Sequence, residues 1–301
     1  MLHVSNLTKK INNQTLVDDL SFSIGRGRVL GILGPNGAGK TTTMRMILGL
    51  VSKKNGSITI NNKSLDTEFE RALMGVGAII EAPKFYPHLS GIQNLKYFNS
   101  LDTNSDNNRI TEVLELLGLL KDGRKKVKYY SLGMKQKLGI ALATLNQPSL
   151  LILDEPFNGL DPHSLRVVRR YLKGLASKGT SILISSHIIS EIELICDDIM
   201  VMNKGKLVGD FKVNELSFTA SYVLVSIVVD DLSWAASVIS SQFNLVCCIE
   251  KESVQIKTNE TSIPNILKEL LNEGINVYEA IQKRSSVEEK FMEITGGGVI
   301  A

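Results

Sequence analysis

Apolar positions along this chain of 301 residues fall into short unbroken runs alternating with stretches of helical period. Residues 29–33, Val-Leu-Gly-Ile-Leu, are one such run, and residues 150–153 and 181–185 are two more. Short apolar runs bounded by turn residues predict central strands of a parallel sheet. Residues 40–50 place Met44, Ile47 and Leu48 on one helical face, and residues 162–176 read as a second amphipathic helix. The alternation continues to about residue 216 and predicts an α/β sheet with crossover helices. Residues 84–147 break it. Helical stretches at 91–101, 108–117 and 134–145 come with little strand signal, so this segment is expected to form a helical subdomain between two strands of the core.

Beyond Asn203-Lys204-Gly205-Lys206, a hairpin turn by composition, the pattern changes. Strands are predicted at 221–229, 245–250, 254–258 and 275–282, with helices at 233–242 and 263–273, the latter capped by Gly274. The order β-α-β-β-α-β is that of a ferredoxin-like α+β unit. The expected division is therefore a core at 1–215 and an accessory domain at 216–301, whose glycines at 296–298 read as a flexible tail. No glycine-rich loop, histidine cluster or carboxylate pair occurs in the second part, which favours an interaction or regulatory role over a second active site.

Composition narrows the function classes. With 34 basic and 31 acidic side chains the formal charge is only +3, too small for the basic field of a nucleic-acid-binding protein. The three cysteines, Cys196, Cys247 and Cys248, form no C-x-x-C pair, so neither a disulfide framework nor a zinc site is expected. Residues 1–7 lack the charged and apolar segments of a secretory signal, and the apolar stretch at 222–229 is far short of a bilayer span. A soluble protein with no membrane span of its own is expected, any membrane role coming through a partner.

The chemistry concentrates in Gly34-Pro35-Asn36-Gly37-Ala38-Gly39-Lys40-Thr41, which fits the phosphate-binding loop G-x-x-x-x-G-K-[ST] at every position, with Thr42 following. The predicted strand before it and helix after it are the context this loop requires. Glycines let successive N–H groups point at phosphate oxygens, and the helix N-terminus adds its positive end. Lys40 is placed to reach the β- and γ-phosphates of ATP, and the Thr41 hydroxyl to ligate Mg²⁺. The strand at 150–153 ends in Asp154 and Glu155. In a phosphate-loop fold it is expected beside the strand at 29–33, bringing Asp154 to the Mg²⁺ and Glu155 to the water attacking the γ-phosphate. Ser131 and Gly133 stand at a predicted helix start, and His187 follows a predicted strand; either feature alone reads as structural.

In this order the motifs resemble those of the ATP-binding cassette family: phosphate loop, helical insertion, Ser131-Leu132-Gly133, Asp154-Glu155, Gly159-Leu160-Asp161, then Ser185-Ser186-His187. The resemblance runs from about residue 2 to 215. It implies a head-to-tail homodimer with each ATP between the phosphate loop of one copy and Ser131/Gly133 of the other. It also implies Asp161 across the seam, His187 at the γ-phosphate, and integral membrane permease subunits as partners at the cytoplasmic face of the cell membrane.

Three positions depart from the family pattern. The signature reads Tyr130-Ser131-Leu132-Gly133-Met134, and Ile11 stands where an aromatic usually stacks on adenine, a contact worth roughly 1–3 kcal/mol per base in other settings. Glu81 occupies the place of the coupling glutamine, Gln93 being too far along and on a predicted helix. With Phe85-Tyr86-Pro87 and the C-terminal extension, this is similar to the bacitracin-resistance and lantibiotic self-immunity branch, and it makes Glu81 a candidate metal contact beside Thr41 and Asp154. The expected function is ATP hydrolysis that drives removal of an antimicrobial peptide from the membrane. An exporter of another small drug or ion is the alternative within transport. A soluble cassette ATPase acting on DNA or ribosomes is the alternative outside it, although its coiled-coil insertion or second cassette is missing from the sequence.

Overall fold

Five consecutive buried residues, Val29–Leu33, can be satisfied only in the middle of a layered sheet, and that is where they lie. In a computed structural model, which describes residues 1–12, 14–101, 108–213 and 223–283, the chain divides into two compact units, with a boundary in sequence between Phe211 and Lys212.

The first unit begins with β1 (Leu2–Ile11) and β2 (Gln14–Ile24), followed by β3 (Val29–Leu33) and α1 (Lys40–Ile47). Next come β4 (Asn55–Ile60), β5 (Lys63–Ser64), α2 (Phe69–Leu73) and β6 (Val76–Ile79). The helical segment holds α3 (Gly91–Asn99), α4 (Asn108–Leu116) and α5 (Leu132–Thr144), as its periodicity predicted. Then follow β7 (Leu150–Asp154), α6 (Pro162–Ser177), β8 (Ser181–Ser186), α7 (Ile189–Glu193), β9 (Asp198–Asn203) and β10 (Lys206–Lys212). Two sheets result. One is antiparallel, in the order β2-β1-β4-β5; the other is a six-stranded sheet, β10-β9-β3-β8-β7-β6, whose β9, β3, β8, β7 and β6 run parallel. Leu2, Leu7 and Leu20 of the first sheet share one core with Ile32, Ile152 and Leu183 of the second and with Met44 and Ile47 of α1.

One expectation is corrected: the strand ending in Asp154 does not lie beside β3, because β8 is inserted between them. The antiparallel sheet is a separate sheet that the alternation of segments does not distinguish. Helix ends moved for local reasons. α1 stops at Ile47 because Gly49 turns the chain at φ 67°, and α5 starts at Leu132 because Ser131 caps it by accepting a bond from the Met134 N–H. Gln93 serves a capping box with Ser90 at the start of α3. The Lys204-Gly205 turn joining β9 and β10 has positive φ at both residues, as a tight hairpin requires.

The second unit contains β11 (Val223–Val229), α8 (Leu232–Phe243), β12 (Cys247–Glu250), β13 (Ser253–Thr258), α9 (Ile263–Asn272) and β14 (Val277–Lys283). Its antiparallel sheet has the order β12-β13-β11-β14, the ferredoxin-like arrangement expected from the element order. Val225, Ile227 and Ile256 pack against Ile239 of α8 and Ile266 and Leu270 of α9. The proposed tail at 296–298 lies outside the described residues.

Ile152 is fully buried on the strand that carries Asp154. Ile152→Ala should destabilise the first unit by about 2–5 kcal/mol, read from its urea unfolding midpoint. An unchanged midpoint would mean that β7 is not the centre of that core.

Candidate active site

The loop from β3 to α1 is shaped by its glycines. Gly37 and Gly39 have φ of 80° and 103°. A Cβ on Gly34 would stand 2.3 Å from the Met202 carbonyl, and one on Gly39 2.7 Å from that of Leu16, so side chains are excluded by backbone. The loop surrounds a cavity of roughly 240 Å³ lined by Leu16, residues 35–42 and Glu155.

Lys40 is 6% exposed. Its ammonium donates to the carbonyls of Gly34 (2.6 Å) and Pro35 (3.3 Å) and lies 3.4 Å from the Glu155 carboxylate. The buried ammonium thereby has an anionic partner within the site. The Thr41 hydroxyl donates to Asp154 Oδ2 at 2.7 Å, and the Ser185 hydroxyl donates to Oδ1 at 2.5 Å. Ser185 also accepts the Glu155 N–H at 2.9 Å. That bond pins a residue with φ 47°, a left-handed conformation uncommon for a non-glycine residue, while the Gln136 amide approaches the Glu155 carbonyl at 3.5 Å. His187 Nδ1 lies 2.9 Å from Glu155 Oε2. Behind it, burial raises the Glu191 pKa; nearby Arg169 and His187 oppose that shift and Glu155 reinforces it.

Phosphate loop, Lys40, Thr41, Asp154, Glu155 and His187 are thus gathered at one end of the parallel sheet. The remaining predicted residues are not. Ser131 and Gly133 do not line the loop cavity; Ser131 is exposed, and a Cβ on Gly133 would stand 3.0 Å from the Gly159 carbonyl. Asp161 follows that turn and caps α6, accepting N–H bonds from His163 and Ser164 at 2.9 Å each. These bonds and the Ser164 hydroxyl hold its pKa down to about 2. Its capping contribution is therefore present above the ordinary aspartate range and disappears as pH falls through about 2. Ile11 is exposed at the β1 end and does not line the cavity, to which Leu16 contributes apolar surface. Glu81 is exposed, has φ 64°, and forms an ion pair with Arg45 of α1. Sequence reasoning missed the bond of Ser185 to Asp154, and it missed Leu16 and Arg45. A serine within an apolar strand is the one signal that could have marked the first.

A glycine-rich strand-to-helix loop with a buried lysine and an adjoining Thr–Asp oxygen pair is the construction of a phosphate-loop nucleotide-binding protein. A family profile described as "ABC transporter" matches residues 17–158. The chain is similar to a bacitracin transport ATP-binding protein, BcrA of Enterococcus faecalis, at 36% identity over 100% of this chain and 98% of that protein. It is 41% identical to a lantibiotic transport ATP-binding protein, SrtF of Streptococcus pyogenes, over 69% of this chain and 89% of that one. A solved ATP-binding subunit of an ABC transporter superposes with a TM-score of 0.66 at 30% identity, covering 73% of this chain and 92% of its own. The chain belongs to the ATP-binding subunits of ABC transporters, a family of ATPases. Among the described residues no helix is long and apolar enough to cross a membrane.

Ser185→Ala leaves the Glu155 N–H without its acceptor, a loss of about 1–3 kcal/mol. We expect ATP turnover to fall about 5- to 150-fold, a range that follows from that loss. Turnover equal to wild type would show that Ser185 does not position the two carboxylates.

Proposed function

We propose that this chain is the motor of an exporter that removes an antimicrobial peptide of the bacitracin or lantibiotic kind from the membrane. The observation that carries the cargo assignment is the match to a bacitracin transport subunit along the whole chain, accessory part included. Two copies sandwich two ATP molecules, and permease subunits hold the pair at the cytoplasmic face of the membrane. The open loop cavity and the exposed Ser131 beside Gly133 support such a seam.

In this reading the loop amides and Lys40 take the β- and γ-phosphates, and Leu16 rather than Ile11 packs on the base. Thr41 Oγ1 and Asp154 Oδ2, 2.7 Å apart, are hard oxygens suited to Mg²⁺. Few protein ligands fit this ion, which usually keeps waters and phosphate oxygens around it. When bound, Mg²⁺ neutralises charge developing on the phosphates.

The contacts of Glu155 support an order of events. Glu155 is held by Lys40 and His187 together. An arriving γ-phosphate competes for Lys40 and releases Glu155 toward the attacking water. Glu155 accepts the proton of that water while the new P–O bond forms and the β–γ bridging P–O bond breaks. ADP leaves with its electron pair. His187 orients Glu155 and donates toward the γ-phosphate. Glu81 pairs with Arg45 and would serve as a further contact for Mg²⁺.

Glu155→Gln should lower turnover by about 10²- to 10⁴-fold, the usual loss of a general base, while ATP binding measured by calorimetry persists. Wild-type turnover in this variant would remove Glu155 from the mechanism. Glu81→Ala should reduce peptide resistance in cells more than it reduces hydrolysis by the purified subunit. Full resistance with normal turnover would sink the coupling role. Resistance to a drug of another class, with none to peptides, would replace the cargo but not the motor.

A further inference from the structure

A larger cavity, about 640 Å³, lies in the same unit away from the phosphate loop. It sits between α4 and α6, over the residues that lead into β7 and β8. Asp154 and Ser185 stand at the opposite ends of those strands, roughly 13 Å away at the usual rise of a strand. Tyr171, Leu175, Val167 and Leu116 form its apolar wall, with Tyr171 anchored through its hydroxyl to Thr144 at 2.8 Å.

Charge at this cavity is one-sided. Arg26, Arg109, Arg170 and Lys178 line it against a single acid, Glu112. Glu112 approaches Arg109 only at 3.7 Å, and Arg109 Nε is buried without a hydrogen-bond partner. Among the described residues, Arg26, Arg170 and Lys178 have no ion-pair partner.

Gly174 adds an independent sign. It lies inside α6, where glycine weakens a helix, yet a Cβ there would meet no atom within 4 Å. Neither turn geometry nor close packing calls for glycine at this position; its bare flank is cavity wall. The volume and the mixture of apolar wall and convergent charges are those of a small-molecule site.

We propose that this cavity binds a small organic anion with an apolar body, its acidic group meeting Arg109 and Arg170 and its body resting on Tyr171 and Leu116. Such a ligand bridges α4, α6 and the feet of β7 and β8, and its site is separate from that of ATP.

The probe is anilinonaphthalene sulfonate, an apolar anion that fluoresces when withdrawn from water, titrated into the full chain. One probe per chain should bind saturably and remain bound when Mg-ATP is added. Gly174→Leu fills the cavity while raising helix propensity, so a folded protein is expected, with probe affinity reduced more than about 10-fold. Arg170→Glu with Lys178→Glu should reduce it about 10-fold, the scale of one lost charged hydrogen bond, and leave neutral phenylnaphthylamine binding unchanged. ATP affinity should be unaltered in both variants. Displacement of the probe by Mg-ATP, unchanged affinity in the Gly174→Leu protein, or no saturable binding to wild type would overturn the proposal.

Discussion

A buried carboxylate that must be satisfied from two sides organises this ATPase. Asp154 ends β7 inside the protein, and leaving its oxygens unpaired there would cost far more than one hydrogen bond contributes. Thr41, at the start of α1, serves one oxygen, and Ser185, near the end of β8, serves the other. The three groups come from three elements that meet only because β8 lies between β3 and β7. Sheet order and site are thus one constraint. A sheet in which β7 paired directly with β3 would leave Ser185 out, and the Glu155 N–H would lose the acceptor that holds its unusual backbone conformation.

Around this fixed carboxylate the electrostatics are arranged for exchange. Glu155 links Lys40 and His187 in one chain of contacts. A buried ammonium left unpaired would be strongly destabilising, and Glu155 supplies its counter-charge. In the proposed mechanism the same partnership ties hydrolysis to occupancy, since phosphate would supply the negative charge that Lys40 needs and free the carboxylate. Arg45 and Glu81 repeat the theme at the surface, where solvent screens the pair and makes it easier to break.

Much of this was legible in the sequence, for reasons that are local. The phosphate loop, the apolar strands at 29–33 and 150–153, the helical insertion and the accessory β-α-β-β-α-β order all depend on residues close together in the chain. What escaped depends on pairings between distant segments. β1 and β4 join into an antiparallel sheet across some fifty residues, and no local period announces it. The insertion of β8 between β3 and β7 is equally invisible, because all three read as buried parallel strands. The contact of Ser185 with Asp154 depends on that insertion, and Leu16 reaches the loop from a different strand. Asp161 and Ser131 show the opposite case. Both are conspicuous as motif residues, and within one copy both are explained by helix capping.

The most direct test of the exchange is the structure of the chain bound to Mg²⁺ and a non-hydrolysable ATP analogue. Lys40 should leave Glu155 for the β- and γ-phosphates, the metal should touch Thr41 and Asp154, and Ser185 should keep the Glu155 N–H. A nucleotide seated away from the loop, or Lys40 still paired with Glu155 beside a bound γ-phosphate, would contradict it.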